Sequence, residues 1–422
     1  MKRRVVVTGL GVVSPCGTGK DVFWKNTLSG KSFISSFEEW KEFGLKSKVA
    51  GKIQDIDITS ELSSDDINNF GRHIQLALIA INEAILDSNI KLDNENRHKI
   101  GVCCGNAIAD TPLAEVEFMK QQRDLNYNSN CCQHNNETPN LLAKAMFSCL
   151  STAIASKYKL SGETYTVSTG CTSGIDAIGI AFESIQSNRH DVMICGATES
   201  PLTCMTFSSF DIIGATSNKF NSTPYLASRP FDADRDGFVL AEGAGFLILE
   251  NLEHAIDRNA HIYGEILSFS TINNTLHMTD LPSNSNALSK AISLSLKEAN
   301  ISPQDIDYIN SHGSSTIQND IFETKSYKNV FGKYVYKIPI TSTKSIIGHP
   351  LGAASAIELV HCFLMLKYSI ISPTVNLGKK DSECDLDYVP NTPRRCNIKT
   401  ILSNANGFSG IHSVMILKKY QL

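Results

Sequence analysis

One cysteine, two histidines and a lysine stand at positions in the sequence where reactive side chains are often held. Cys171 follows Gly170 where a predicted strand turns into a helix, and His349 stands at a second turn of this kind. His312 comes directly after another predicted strand, and Lys344 lies between the two histidines. A helix N-terminus favours a thiolate through its dipole and its free N–H groups. We therefore expect Cys171 to be a nucleophile and the histidines to take part in proton transfer.

Each of these residues also has an ordinary structural interpretation. Cysteine is among the residues most often buried, so Cys171 could be an inert core side chain. A lone histidine is more often a hydrogen-bonded structural residue than a catalytic one, and Lys344 could form an ion pair that supports the site. One Cys and two His in separate glycine-flanked turns favour the catalytic interpretation.

Short apolar runs alternate with amphipathic segments along the whole chain, which predicts a layered α/β protein. The predicted strands are 5–13, 99–104, 165–169, 191–196, 245–249, 263–270, 306–311 and 338–342, and the predicted helices are 72–86, 171–185, 287–299 and 349–366. The polar segment 123–138 predicts a loop, either beside a substrate entrance or elsewhere on the surface.

A short internal echo connects the two candidate turns. Gly170-Cys171-x-x-Gly174 corresponds to Gly348-His349-x-x-Gly352, 178 positions later (349 minus 171). Duplicated α/β halves, 1–259 with the cysteine and 260–422 with the histidines, would bring two equivalent helix starts to one site.

The composition disfavours several other classes of protein. The chain has 39 Lys and Arg against 43 Asp and Glu, a net charge of −4, so no basic field indicates a nucleic-acid partner. Its 12 cysteines show no zinc-site spacing and fit reduced thiols, and no apolar run approaches a membrane span. We expect a soluble, cytoplasmic protein without a metal.

Longer strings in the sequence resemble the β-ketoacyl synthase family. They are Val167-Ser-Thr-Gly-Cys-Thr-Ser-Gly174, the stretch 228–244 that begins Ser-Arg-Pro-Phe-Asp-Ala-Asp-Arg-Asp-Gly-Phe, the segments with the two histidines and the lysine, and Asn406-Gly-Phe-Ser-Gly410, in family order. The resemblance implies the α/β thiolase fold, with duplicated halves in a five-layered αβαβα core, and a dimer.

Within that family the sequence is most similar to the catalytic ketosynthase subunit of type II aromatic polyketide synthases. Gly170, His277-Met-Thr-Asp, Gln318-Asn319 and the stretch 383–390 carry this likeness. It implies polyketide biosynthesis of the antibiotic or pigment type. A fatty-acid elongating synthase of the same fold is the nearest alternative. A biosynthetic thiolase would need a second cysteine near the C-terminus, and a chain-length-factor scaffold would lack the nucleophile.

The resemblance implies a decarboxylative condensation of malonyl-acyl carrier protein with a chain bound to Cys171. The N–H groups of Cys171 and Phe408 would form the oxyanion hole, and Lys344 would position His312. His312 and His349 would stabilise the enolate, with the division of work between them left open.

Further residues match family positions near the site. Thr279, Ser314 and Thr316 would bind the pantetheine arm, although capping of the turn after His312 would explain the last two equally well. Asp320 and Glu323 would serve structurally. No tightly bound cofactor is expected, because the phosphopantetheine belongs to the carrier protein, the source of the malonyl and acyl thioesters.

Two departures from the family pattern concern the loop that would gate the acyl tunnel and the surface that would dock the carrier protein. Asn406 and Ser409 replace common Phe or Gly positions beside Phe408, which matches the family's gating Phe. Asp65-Asp-Ile-Asn-Asn69 replaces an often basic helix that docks the carrier protein. Docking would then use other positive groups, such as Lys120 and Arg123, or a partner subunit. We expect that partner to be a homologous chain-length factor in a heterodimer.

Overall fold

The computed structural model describes residues 2–39, 41–54, 56–111, 113–115, 119, 146–282 and 286–421. The predicted loop at 123–138, with Lys120 and Arg123, lies outside them. The described strands are β1 (Val5–Ser14), β2 (Gly17–Thr18), β3 (Ser35–Ser36), β4 (Val49–Ala50), β5 (Ile100–Gly105), β6 (Thr164–Val167), β7 (Val192–Glu199), β8 (Gly243–Asn251), β9 (Gly264–Asn273), β10 (Tyr308–Asn310), β11 (Ile340–Thr341), β12 (Ile370–Ile371), β13 (Arg394–Arg395), β14 (Thr400–Asn406) and β15 (Ile411–Lys418). The described helices are α1 (Lys20–Thr27), α2 (Ile58–Glu61), α3 (Ser64–Asn69), α4 (Arg72–Ser88), α5 (Ser148–Lys157), α6 (Ser173–Gln186), α7 (Cys204–Ile212), α8 (Leu252–Asp257), α9 (Asn286–Ala299), α10 (Ile317–Phe331), α11 (Lys344–Ile347) and α12 (Ala354–Tyr368).

The main sheet consists of two five-stranded parts joined edge to edge. The first part has the strand order β1-β8-β7-β5-β6, and the second has β9-β15-β14-β10-β11. They meet where Val5–Val7 of β1 pair antiparallel with Gly264–Ile266 of β9. Every residue of β1, β7 and β8 is buried, which explains their nearly continuous apolar sequences.

Helices cover both faces of each part of the sheet. Helix α4 packs on β1 and β8, and α9 packs on β9 and β15. Helices α6 and α12 contact each other and strands of both parts, so they form the central layer. The result is the five-layered αβαβα arrangement of the thiolase fold, which confirms the predicted fold class. The division into halves 1–259 and 260–422 stays a prediction.

The central helices approach closely because small residues lie at their contact. The N–H of Ile175 donates to the hydroxyl of Ser355 at 2.9 Å. A Cβ on Gly174 would lie 2.8 Å from the nitrogen of Ala356 and 2.9 Å from the carbonyl of Gly352. The two turns that share the sequence echo are therefore brought together, as predicted.

Two further features of the sequence have structural roles. Asp66 closes a capping box with Ser63 at the start of α3 and pairs with Lys157 at 2.6 Å, so part of the acidic segment at 65–69 stabilises a short helix. The stretch Leu351–Tyr368 is long and apolar enough to cross a membrane, but 89% of it is buried inside the structure, as in a core helix.

Candidate active site

The chain around Cys171 forms a short 3₁₀ turn, Gly170–Thr172, that leads into α6. Gly170 has a φ of 66°, which glycine adopts without strain. The hydroxyl of Ser173 accepts from the N–H of Thr169 at 3.0 Å and donates to the carbonyl of Gly170 at 2.7 Å. These bonds delay the α-helix to Ser173, two residues later than predicted, so the cysteine lies in the turn before it.

The Cys171 thiol is only 8% exposed, and burial raises its pKa to about 11. Lys344 and hydrogen bonds from the N–H groups of Phe408 and of Cys171 itself act in the opposite direction, but burial outweighs them. The expectation that the helix start favours a resting thiolate is therefore wrong. The same two N–H groups that were predicted to form the oxyanion hole do point at the sulfur.

His312 follows β10, and its main chain is fixed on both sides. Its N–H donates to Glu323 Oε1 at 2.8 Å, and the N–H of Gly313 donates to Glu323 Oε2 at 2.7 Å. Its carbonyl accepts from Lys344 Nζ at 2.7 Å. The predicted role of Lys344, positioning this histidine, matches the geometry.

His349 lies opposite His312, with ring centroids 5.1 Å apart and an interplanar angle of 79°. Its N–H donates to the carbonyl of Val239 at 2.7 Å, and its ring packs edge-on against Phe238. Burial, and then the charge of Lys344, holds the pKa of both imidazoles well below the usual value. Both rings are therefore neutral near pH 7, and the Nδ1 atom of each has no hydrogen-bond partner among the described residues.

Lys344 is almost completely buried and forms an ion pair with Glu358 of α12, with 2.5 Å between Nζ and Oε1. Burial raises the pKa of Glu358 to about 7 although Lys344 lowers it. The alternative interpretation of Lys344, as an ion-pairing residue, is thus also correct: the same ammonium group bonds Glu358 and the carbonyl of His312.

Phe408 begins a tight turn, Phe408–Gly410, in which Ser409 has a φ of 70°. The Phe408 ring stacks on Phe210 at 6.0 Å between centroids, and Phe210 packs edge-on against Phe238, the neighbour of His349. A row of aromatic rings therefore connects the predicted gating residue with one of the histidines.

These groups surround one pocket. Its lining comprises Cys171, Phe238, Thr279, Leu281, His312, Ser314, Thr316, Gln318, Asn319, His349, Leu351, Asn406, Gly407 and Phe408. A nucleophilic sulfur, two aimed N–H groups and two neutral imidazoles suit acyl transfer followed by stabilisation of an enolate.

Known proteins are similar to this chain in sequence and in fold. The family model "Beta-ketoacyl synthase, N-terminal domain" matches residues 2–255, and "Beta-ketoacyl synthase, C-terminal domain" matches residues 263–378. The chain belongs to the β-ketoacyl synthase family. The resemblance stated from the sequence is confirmed, and the chain is a condensing enzyme of the acyltransferase type.

Three full-length relatives narrow the position of this synthase within the family. It is 42% identical to the "Putative polyketide beta-ketoacyl synthase 1" of Streptomyces cyaneus, over 99% of this chain and 98% of the relative. The chain superposes with a TM-score of 0.92 and 40% identity on the structure "AntDE:AntF (apo): type II PKS acyl-carrier protein in complex with its ketosynthase bound to the hexaketide". It superposes with a TM-score of 0.90 and 29% identity on "The ishigamide ketosynthase/chain length factor". Each superposition covers 100% of both chains. The likeness to type II polyketide ketosynthases is confirmed.

The three residues predicted to bind pantetheine all line the pocket of the synthase. The hydroxyls of Ser314 and Thr316 lie 2.8 Å apart, and Thr316 Oγ1 also accepts from the N–H of Asn319 at 3.3 Å as the cap of α10. The hydroxyl of Thr279 bonds its neighbours His277 and Asp280. Capping and pocket lining are therefore compatible for Thr316, and pantetheine binding stays a prediction.

The two acidic residues predicted to be structural are completely buried. Asp320 lies 3.4 Å from Arg235 and accepts from the N–H of Phe231 at 2.8 Å. Burial raises the pKa of Asp320 to about 6, against the effect of Arg235. Glu323 holds the main chain of His312, so it supports the site directly.

The sequence analysis did not assign several residues that the structure brings to the site. Phe238, Leu281, Leu351 and Gly407 line the pocket, and the first and last of them lie inside strings that carried the family likeness. Glu358 was missed as well. A single acid in the apolar run from 351 to 366 is a signal that could have revealed it, because a charge buried in a helix needs a partner.

Proposed function

We propose that Cys171, His312 and His349 carry out a decarboxylative Claisen condensation, with this chain as the condensing subunit of a type II aromatic polyketide synthase. One observation carries the proposal: the cysteine sulfur, the N–H of Phe408 and two neutral histidines meet at a single pocket. Full-length likeness to polyketide ketosynthases supports the choice of substrate class over fatty-acid elongation.

In the first half-reaction the Cys171 sulfur attacks the carbonyl of an acyl thioester on the carrier protein. The carbon–sulfur bond to the carrier breaks, and the departing thiolate takes up the proton that Cys171 loses. The N–H groups of Cys171 and Phe408 hydrogen-bond the oxyanion that forms on the carbonyl oxygen. Both point at the Cys171 sulfur.

In the second half-reaction malonyl on the carrier protein loses carbon dioxide and becomes an enolate. Its carbon attacks the carbonyl of the chain on Cys171, a carbon–carbon bond forms, and the cysteine leaves as a thiolate that is protonated again. His312 and His349 donate N–H groups to the enolate oxygen as neutral imidazoles. Lys344 and Glu323 fix the main chain of His312 for this role.

The partners are an acyl carrier protein and a homologous chain-length factor. The relative in the AntDE:AntF complex binds a type II carrier protein, and the ishigamide structure contains a ketosynthase with a chain length factor. The phosphopantetheine arm of the carrier supplies the thioester, so the synthase itself needs no tightly bound cofactor. We place the enzyme in the cytoplasm, where carrier-bound intermediates are made.

The experiment is an extension assay with malonyl-loaded carrier protein, in which products are identified by mass. We expect condensation by the wild-type chain together with its chain-length factor, and none by Cys171→Ala. Cys396→Ala is the matched control, because Cys396 is a half-buried thiol beside β13, outside the pocket lining. Condensation by Cys171→Ala would overturn the proposal.

The choice between an unequal pair and a homodimer is tested separately. The chain is expressed alone and with the homologous factor, and the mass in solution is compared with the number of extensions. Multi-step extension by a homodimer, unaffected by adding the chain-length factor, would show that the enzyme is of the fatty-acid type.

A further inference from the structure

A row of hydrogen-bonded side chains runs through the synthase from the gate to His312. Asn406 is the last residue of β14 and directly precedes Gly407 and Phe408. Its Nδ2 donates to Asn319 Oδ1 at 2.9 Å, and its Oδ1 lies 2.8 Å from Nδ1 of His412. Asn406 is 5% exposed, so both bonds are buried.

The direction of every bond in this row is determined. Asn319 Nδ2 donates to Glu323 Oε2 at 2.8 Å, which leaves Asn319 Oδ1 to accept from Asn406. The carbonyl of Asn406 then faces His412, so Nδ1 of His412 carries a proton. Burial lowers the pKa of His412 to about 4, which keeps this ring neutral with one N–H. Its Nε2 is left to accept from Asn274 Nδ2 at 3.4 Å.

One end of the row holds proposed catalytic groups. Glu323 accepts from the main chain of His312 and Gly313, so a shift of its carboxylate would move the histidine. Gly407 adjoins the cysteine turn closely: a Cβ on it would lie 3.2 Å from the carbonyl of Thr169 and 3.6 Å from the nitrogen of Cys171. Asn406 therefore lies between the oxyanion N–H of the next turn and the carboxylate behind His312.

The other end lies at the loop over the pocket. The N–H of Asn274 donates to the carbonyl of Gly410 at 2.8 Å, and the N–H of Ser409 donates to the carbonyl of Met278 at 2.5 Å. The same loop supplies Thr279 and Leu281 to the pocket lining. Head-to-tail amide bonds that end on a carboxylate polarise one another, so the row is stronger than its separate bonds.

We propose that Asn406 is a positioning residue that sets the distance between the oxyanion hole at Phe408 and the enolate-binding His312. The carboxamide is required because it donates toward Glu323 and accepts from His412 at the same time. The Phe or Gly common at this position in relatives can do neither. This inference rests on the proposed function, because both groups that it positions belong to the condensation site.

Asn406→Ala removes both bonds and leaves Asn319 Oδ1 and His412 Nδ1 unpaired. We expect kcat for condensation to fall by about 10- to 100-fold, the range caused by small displacements of catalytic groups. KM for the carrier-bound substrates should stay within about threefold, because the proposal assigns the Asn406 side chain to positioning and gives it no substrate contact. Acylation of Cys171 and malonyl decarboxylation, measured separately, should both slow, since the residue serves both groups.

Three further variants separate positioning from folding and from gating. His412→Ala should show a smaller loss of kcat, and His412→Asn, whose Nδ2 stands where Nδ1 of the histidine donates to Asn406, should restore most of it. Asn273→Ala is the matched control: its amide donates to the carbonyl of Ser409 at 2.9 Å but has no bond in the row to Glu323. If Asn406 only held the turn at Phe408–Gly410 in place, Asn273→Ala would lose as much kcat as Asn406→Ala.

Unchanged kcat in folded Asn406→Ala, or a change confined to KM, would overturn the inference. If Asn406→Ala does not fold, full activity of His412→Ala overturns it, and loss in His412→Ala with recovery in His412→Asn supports it. Wild-type enzyme is assayed in parallel. A wild type without condensation refutes the proposed function, whereas an active wild type with unaffected variants refutes only the positioning role.

Discussion

The buried pair of Lys344 and Glu358 makes a prediction about how stability depends on pH. Replacing Lys344 by Met keeps the length of the side chain and removes its charge. With Lys344 present, the pKa of Glu358 is about 7, raised by burial from an unfolded value of 4.5. Without Lys344 that pKa rises further, because the ammonium charge that lowers it is gone.

The sign follows from linkage. An acid whose folded pKa is raised contributes stability below its unfolded value and loses that contribution as the pH rises through the folded value. In the wild type this loss ends near pH 7, where Glu358 ionises beside Lys344. In Lys344→Met the loss continues to higher pH, at about 1.4 kcal/mol for each pH unit. The free energies of unfolding of the two proteins should therefore differ by a constant amount up to pH 7, and the difference should grow above pH 7.

The assay is urea unfolding of both proteins at several pH values from about 5 to about 9. We expect the difference in the free energy of unfolding between the two proteins to be larger at pH 9 than at pH 6, growing by up to about 1.4 kcal/mol for each pH unit above 7 until Glu358 ionises in the variant. Lys344→Met combined with Glu358→Gln is the matched control, and its difference from the wild type should not widen above pH 7. An equal difference at pH 6 and pH 9 for the single variant would refute the assigned buried pair.

Four further outcomes are expected. Inactivation by iodoacetamide should follow alkylation of Cys171, and its rate should rise about tenfold per pH unit below the thiol pKa of about 11. Loss of activity through another cysteine, with Cys171 found free by mass spectrometry, would contradict this. His312→Ala and His349→Ala should each slow malonyl decarboxylation by about 10²- to 10⁴-fold while Cys171 is still acylated, and unchanged decarboxylation in both would show the roles misassigned. A hydrogen bond to Glu250 raises the pKa of His254 to about 9. The stability that this pair contributes is present below pH 6.5 and disappears as the pH rises through 9. His254→Gln should therefore flatten the decline in the free energy of unfolding over that pH range. A decline equal to that of the wild type would count against the pairing of His254 with Glu250. Gly174→Ala should lower the free energy of unfolding by about 1–3 kcal/mol by forcing α6 and α12 apart. Gly378→Ala, whose added Cβ would have no atom closer than 4.0 Å, should melt at the same temperature as the wild type. Equal melting temperatures of the two variants would contradict the packing argument.

The sequence could predict the elements of the fold because they are long and periodic. The predicted helix at 72–86 is Arg72–Ser88, and the predicted strand at 5–13 is Val5–Ser14. The boundaries at the site were less accurate. Local hydrogen bonds of Ser173 delay the helix after Cys171, and the strand predicted at 306–311 shortens to Tyr308–Asn310. Such details depend on side-chain bonds that periodicity does not reveal.

The glycine echo around Cys171 and His349 predicted that the two turns meet, and the packing of Gly174 against Gly352 agrees. The electrostatics could not be predicted in the same way. A helix start suggested a thiolate, but the degree of burial, which follows only from tertiary structure, reverses the balance. Glu358 was missed for a related reason: it lies 14 positions from Lys344, and only the fold brings the two together.

The three proposed catalytic side chains are all shifted toward their uncharged forms. Burial raises the pKa of Cys171 and lowers the pKa of His312 and His349, so the resting pocket presents a thiol and two neutral rings. A neutral thioester can enter such a pocket without displacing a counter-charge. Negative charge then develops on the carbonyl oxygen during acyl transfer, and the charge of the malonyl carboxylate moves to the enolate oxygen during decarboxylation. N–H donors are already held in place for both oxygens. Because those donors belong to the main chain and to fixed imidazoles, the precision of the supporting bonds, from Glu323 to Asn406, should matter more to the rate than the basicity of any single residue.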